Sequence, residues 1–145
     1  YNKIIFSPGP SLPSDYPVLF GIIKDFADKK SILGVCLGHQ AIAQYFGASI
    51  KNLNHVKHGV SSQNTILLKD PIFYKVPNIF RVGHYHSWII DNNHFPSMMR
   101  VTSKNEDDII MSYRHTYLDI CGLQFHPESL LTPHGSRIIR NWIDS

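Results

Sequence analysis

Gly34-Val35-Cys36-Leu37-Gly38-His39-Gln40 is the stretch whose reading decides the fold. The apolar run Ser31-Ile32-Leu33 precedes it, and Ala41-Ile42-Ala43-Gln44-Tyr45-Phe46-Gly47 follows it. The first segment reads as a short buried strand entered after Lys29-Lys30. The last reads as a helix with Ile42, Ala43, Tyr45 and Phe46 apolar and Gly47 as its stop. Between them stands one cysteine, with a glycine two positions before it and another two positions after. That spacing is the sequence form of a nucleophile elbow, a strand-to-helix turn too tight for bulky neighbours. At such a turn the sulfur projects into a cleft, the helix N-terminus is expected to favour the thiolate, and free backbone N–H groups can hold an oxyanion. A lone cysteine is more often a small buried hydrophobe. Flanking glycines and a strand-then-helix pattern argue against that here, because an inert core cysteine needs no such backbone.

Working outward, Lys3-Ile4-Ile5-Phe6 reads as a strand that breaks at Ser7-Pro8-Gly9-Pro10-Ser11. Two prolines around a glycine give an extended loop whose backbone can come close to a ligand. Val18 to Lys30 has Leu19, Ile22, Ile23 and Phe26 at helical spacing, with Lys24, Asp25, Asp28 and Lys29 on the other face. Strand, loop, helix, strand, elbow, helix is an α/β pattern with right-handed parallel crossovers. Downstream the rhythm changes to short strands: residues 48–53, Thr65 to Leu68, Ile79 to Val82, Trp88 to Ile90, Met98 to Thr102, Asp108 to Tyr113 and Ile120 to Phe125. Pro, Asn, Asp and Gly separate them, which predicts antiparallel hairpins added to the parallel sheet. A final helix is expected from about Gly135 to Asp144, with Ile138, Ile139, Trp142 and Ile143 on its buried stripe. The chain opens inside a strand, and a parallel sheet covered on both faces needs neighbours there. The expectation is a single domain over 1–145 that lacks an opening strand–helix–strand segment.

Composition narrows the function. A chain of 145 residues with 43% apolar and 17% charged residues builds one domain with a sizeable core and is not disordered. A net charge of +3, with no basic run longer than Lys29-Lys30, leaves no footprint for nucleic acid. Cys36 and Cys121 cannot build a disulfide framework, so a reducing compartment is expected. No signal segment or membrane-length apolar run is present, which makes the cytoplasm the expected location and a membrane an unexpected partner. No phosphate-cradling glycine loop calls for a nucleotide cofactor. His84 and His86 have no carboxylate or thiol at ligand spacing, so no metal is expected. Cys121, inside an apolar strand, reads as core.

An elbow cysteine needs a base, and nine histidines compete for the role. His39 lies too close, in the first turn of the following helix. His55 and His94 read as solvated surface groups. Gln124-Phe125-His126-Pro127-Glu128-Ser129 is different because it ends an apolar strand, where α/β sites gather. In extended backbone, residues two apart face the same way, and Pro127 biases His126 towards that geometry. A carboxylate beside an imidazole orients the ring, selects its tautomer and stabilises its protonated form. Cys36, His126 and Glu128 therefore form the candidate catalytic triad.

Ser7-Pro8-Gly9-Pro10, Leu33 to Gln40, Tyr85-His86-Ser87 and Gln124 to Ser129, in this order, resemble the class I (triad) glutamine amidotransferases. The closest likeness is to the glutaminase subunits of anthranilate synthase and aminodeoxychorismate synthase, with His58-Gly59 and Thr132-Pro133-His134-Gly135 as further points of agreement. The resemblance implies a three-layer, flavodoxin-like α/β fold, its mostly parallel central sheet flanked by helices and extended by antiparallel strands. It implies L-glutamine as substrate, no cofactor, and a partner that is a chorismate-using synthase. By the same resemblance Cys36 attacks the glutamine carboxamide, His126 serves as base and acid, and Glu128 holds it. The N–H groups of Leu37 and Gly9 form the oxyanion hole, and Gly9, Pro10, Ser11, Gln40, Ser87 and Trp88 surround the substrate. Three positions depart from the family pattern: Ser11 replaces a second glycine, Val60 replaces a lysine after His-Gly, and His84 replaces an arginine before Tyr-His-Ser. Those departures, with the missing opening segment, support one alternative, a weakened docking or regulatory subunit of the same fold. The same elbow also serves other hydrolases of γ-glutamyl bonds and other amidotransferases such as GMP synthetase, which is the second alternative.

Overall fold

A computed structural model describes residues 1–145. The chain runs β1 (Lys3–Phe6), α1 (Pro17–Phe26), β2 (Ser31–Val35), α2 (Leu37–Tyr45), β3 (Ile50–Ile66), β4 (Ile79–Ile90), β5 (Met99–Asn105), β6 (Ile110–His115), β7 (Ile120–Leu123) and α3 (Gly135–Asp144). All seven strands join one sheet in the order β1-β2-β7-β6-β5-β3-β4. β2 pairs in parallel with β1 and β7, while β7–β6, β6–β5, β5–β3 and β3–β4 pair antiparallel. The α/β class holds. Within this chain, however, the antiparallel pairings outnumber the parallel ones, because hairpins are the cheapest way to add strands once no crossover helix follows α2.

The strand expectations change in the middle of the chain. Residues 50–53 and Thr65–Ile66 belong to a single strand, β3, with Ala48, Ser49, Leu67 and Leu68 outside it, and Ile79–Val82 and Trp88–Ile90 belong to a single β4. Register shifts between Asn52 and Lys57, and between His58 and Val60, let this long hairpin bend without breaking. Its polar centre hid the continuity, since buried residues there such as Ser62, His84 and His86 are polar. Helix α1 stops at Phe26 rather than at Lys30, and α2 begins directly after Cys36.

Alternation along the central strands builds two cores. Leu33, Val35 and Leu123 face Phe80, Phe125, Ile138 and Trp142 on the α3 side. Ile32, Ile120 and Tyr113 face Phe6, Ile23, Ile42 and Ala43 on the α1–α2 side. This is the three-layer arrangement. At ten residues α3 is too short to stand alone. Its completely buried Ile138 and nearly buried Trp142 anchor it, each worth about 1.5–3 kcal/mol of apolar burial. No helix is long and apolar enough to cross a membrane.

Candidate active site

Cys36 sits between the C-terminal end of β2 and the first residue of α2, with φ 52° and ψ −101°. A non-glycine residue at positive φ is strained and persists only where its surroundings demand it. The flanking glycines explain how. A Cβ on Gly34 would lie 2.5 Å from the Gly38 carbonyl carbon and 2.7 Å from the His39 nitrogen. A Cβ on Gly38 would lie 2.5 Å from both the Cβ and the carbonyl oxygen of Phe6. Strand and helix thus pass backbone against backbone, and Cys36 is thrust out of the turn.

The Cys36 side opens on a cavity of about 160 Å³. Its walls include Gly9, Pro10, Ser11, Leu37, Gln40, Ser87 and Trp88, so every residue expected around the substrate meets the cysteine there. Val56 and His58 from the bent β3, and Tyr85 and His86 from β4, complete the lining. Ser11 has φ 68°, which is the physical reason glycine suits this position better. Val60, beside the φ 66° of Gly59, is partly exposed and does not line the cavity. Neither the Leu37 N–H nor the Gly9 N–H donates to any protein oxygen acceptor. Gln40 Nε2 donates to the Trp88 carbonyl at 2.8 Å and to Gln124 Oε1 at 3.3 Å.

The electrostatics at the sulfur differ from the sequence expectation. Burial pushes the Cys36 thiol up to about 11, against the lowering effect of the Leu37 N–H, and the Glu128 charge raises it further. Desolvation by the packed elbow outweighs the helix terminus, so the resting cysteine is a thiol.

His126 leaves β7 through Phe125, and its Nδ1 pairs with Glu128 Oε1 at 2.7 Å. The His126 side chain is 12% exposed and Glu128 is 60% exposed, so the carboxylate approaches from solvent. With Nδ1–H donated to Glu128, Nε2 carries the lone pair; it is buried and has no hydrogen-bond partner. Cys36 Sγ does not pair with it and instead accepts from Gln124 Nε2 at 3.8 Å. The loop is pinned from three sides. His126 N donates to the Gly83 carbonyl at 3.1 Å, Thr132 Oγ1 to the His126 carbonyl at 2.8 Å, and the absent side chain of Gly135 lets α3 press on Pro127. Tyr85 borders both the Cys36 cavity and the hollow over His126 and Glu128, with its ring 4.9 Å from the imidazole.

Among the other histidines, His39 is fully buried in the first turn of α2, while His55 and His94 are exposed. Cys121 is buried in β7, with its thiol pushed up to about 12 by desolvation. Sequence reasoning did not single out Gln124, His58, Tyr85 or His86 as site residues, although all four lie in the quoted motifs. A strand-end glutamine two residues before a candidate base was the available signal for Gln124.

A mixed α/β sheet with a strained cysteine turn after β2 and a hydrogen-bonded His–Glu pair after β7 is the architecture of an amidotransferase-type α/β domain. The glutamine amidotransferase class-I family profile matches residues 1–145, and the chain belongs to that family. It is 44% identical over 144 residues to anthranilate synthase component 2 of Pyropia yezoensis, covering 99% of this chain and 76% of the relative. It is 40% identical over 142 residues to aminodeoxychorismate synthase component 2 of Klebsiella aerogenes, covering 98% of this chain and 75% of that one. Among solved structures, a protein assigned to GMP synthase from Thermoplasma acidophilum superposes with a TM-score of 0.87 at 26% identity, over 99% of this chain and 71% of its own.

Proposed function

We propose that this chain is the glutaminase subunit of a chorismate-using synthase, releasing ammonia from L-glutamine for a partner that makes anthranilate or aminodeoxychorismate. The relatives named as component 2 of those two synthases, at 40–44% identity, support this partner over the GMP synthase assignment seen at 26%. The observation that carries the chemistry is Cys36 at positive φ, facing a cavity walled by Gly9, Gln40, Ser87 and Trp88.

In this reading the cavity takes a glutamine side chain with its carboxamide carbon over Sγ. His126 Nε2 takes the thiol proton as the sulfur attacks, closing the separation present at rest. Catalytic contacts often tighten only when substrate is bound. Negative charge on the carboxamide oxygen falls to the free N–H groups of Leu37 and Gly9. The imidazolium then protonates the departing nitrogen, ammonia leaves, and a glutamyl thioester remains on Cys36. Water, deprotonated by His126, attacks the thioester; glutamate departs and the thiol is restored. Glu128 keeps Nδ1 protonated throughout.

A diazo-ketone analogue of glutamine tests this directly. The expected result is stoichiometric alkylation of the peptide carrying Cys36, with glutamine hydrolysis lost in Cys36→Ala while the partner complex still uses free ammonia. An unlabelled Cys36 would favour the weakened docking subunit, and unchanged hydrolysis in Cys36→Ala would rule the mechanism out.

A further inference from the structure

We infer that Asn105, Ser62, His84 and His86 form a one-directional hydrogen-bonded relay that positions the Ser87–Trp88 backbone of the substrate cavity, a conclusion that rests on the glutaminase reading and deepens it. The relay crosses β5, β3 and β4 and all four side chains are buried. Asn105 Nδ2 donates to Ser62 Oγ at 3.4 Å, Ser62 Oγ meets His84 Nε2 at 2.5 Å, and His84 Nδ1 meets His86 Nε2 at 2.9 Å.

Its direction follows from counting hydrogens. The Asn105 carbonyl oxygen is taken by the N–H groups of Asp107 at 3.1 Å and Ile109 at 2.9 Å, which fixes the amide with its NH₂ towards Ser62. Each of the next two gaps holds one proton. If His84 Nε2 donated to Ser62, the buried Ser62 hydroxyl hydrogen would have no acceptor, because His84 and Asn105 are its only partners. Ser62 therefore donates to His84 Nε2, His84 donates through Nδ1, and His86 accepts at Nε2 and keeps its proton on Nδ1. That last N–H has no hydrogen-bond partner in the protein, and the His86 side chain itself stands in the wall of the Cys36 cavity, next to Ser87. Two residues on, the Trp88 carbonyl receives Gln40 Nε2 at 2.8 Å, so the end of the relay and the hydrogen-bonded cavity wall are neighbours on β4.

The relay works only with both imidazoles neutral. Burial holds His84 down to about 4 and His86 to about 3. Lys57 from β3, His126 beyond β7 and the two rings themselves oppose protonation, while Asp107 acts the other way on His84. Lys57 and Asp107 pair with each other at 2.7 Å, which limits the influence of either. The departure at His84 thus has a physical meaning. Arginine donates only and could not accept from Ser62, whereas a neutral imidazole accepts on one side and donates on the other.

Nitrogen-15 NMR of the histidine-labelled protein tests the direction: His84 and His86 should both carry Nδ1–H and a bare Nε2. In His84→Leu the KM for glutamine should rise roughly tenfold, with kcat held within about threefold, because uniform binding and not the chemical step is lost. The glutamine analogue should need a similarly higher concentration to label Cys36. His84→Asn, whose amide nitrogen stands where Nδ1 stood, should bring KM back to within about threefold of the unaltered protein. Ser62→Ala is the milder variant if His84→Leu does not fold. There His84 should lose its fixed tautomer and KM should rise. An Nε2–H on either ring, an unchanged KM in the folded variant, or a fall in kcat in place of a rise in KM would overturn the relay. A protein that neither hydrolyses glutamine nor is labelled at Cys36 overturns the glutaminase reading instead, and the tautomers still decide the relay.

Discussion

Gln124 Nε2 donates to Cys36 Sγ at 3.8 Å while Gln124 Oε1 accepts from Gln40 Nε2. The carboxamide of a fully buried residue at the end of β7 therefore ties the Cys36 sulfur to the wall of the cavity it borders. A donor aimed at sulfur matters little to a neutral thiol and more to a thiolate.

Gln124→Leu keeps the volume and removes that donor. A hydrogen bond to a charged group is worth about 1.5–3 kcal/mol, so glutaminase kcat/KM should fall roughly ten- to a hundredfold. Steady-state glutamate release, together with the rate of Cys36 alkylation, measures it. A variant of unaltered rate would show that the sulfur contact is only packing.

Glu128→Gln removes the charge that faces His126 Nδ1 at 2.7 Å and lets the imidazole tautomer drift. Because Glu128 is 60% exposed, solvent screens it, and a loss of roughly ten- to a hundredfold in kcat is expected, well short of the effect of Cys36→Ala. Stability should change little. Equal losses in the two variants would mean that Glu128 does more than orient the ring.

Gly135→Ala would place a methyl group 2.6 Å from the Pro127 carbonyl carbon and 2.8 Å from its Cα. Overpacking of this kind costs about 1–3 kcal/mol, or a Tm lower by roughly 2–12 °C for a chain of this size. The strain falls between His126 and Glu128, so activity should drop with it. Gly21→Ala, in α1 with nothing within 4 Å of the new Cβ, is the matched control and should leave Tm equal or higher.

His39, His84 and His86 are held below the ordinary imidazole range, at about 3, 4 and 3, chiefly by burial. Between those values and the unfolded value of about 6.5, the unfolded chain binds more protons than the folded one. Stability is therefore fully present above about pH 6.5 and is lost as pH falls towards 4. Urea unfolding at pH 7.5 and at pH 5 should show the lower midpoint at pH 5. Equal midpoints would mean that these rings are not held neutral.

The outer framework was legible from the chain alone because each element announces itself locally. Gly34 and Gly38 around Cys36 mark a turn that only close backbone passage requires, and the structure puts Phe6 against one and the backbone after Cys36 against the other. Pro127 between His126 and Glu128 marks an extended pair, and the two side chains meet. The long hairpin was less legible. Asn54 to Asn64 falls between two expected strands, yet ladder bonds to β4 carry it across two register shifts into β3, and that bend delivers Val56 and His58 to the cavity. Polar residues such as Ser62 and His84 carry no periodic signal of burial, since their partners lie on other strands.

The chain by itself determined the α/β class, the elbow at Cys36 and the His126–Glu128 pair, because backbone sterics and spacing two apart act within a few residues. Tertiary structure alone decided that the thiol rests protonated, that Gln124 and not His126 touches the sulfur, and that His84 is hydrogen-bonded to His86. Each of these depends on desolvation and on hydrogen-bond partners brought together from distant segments, and neither quantity exists until the sheet has closed around them.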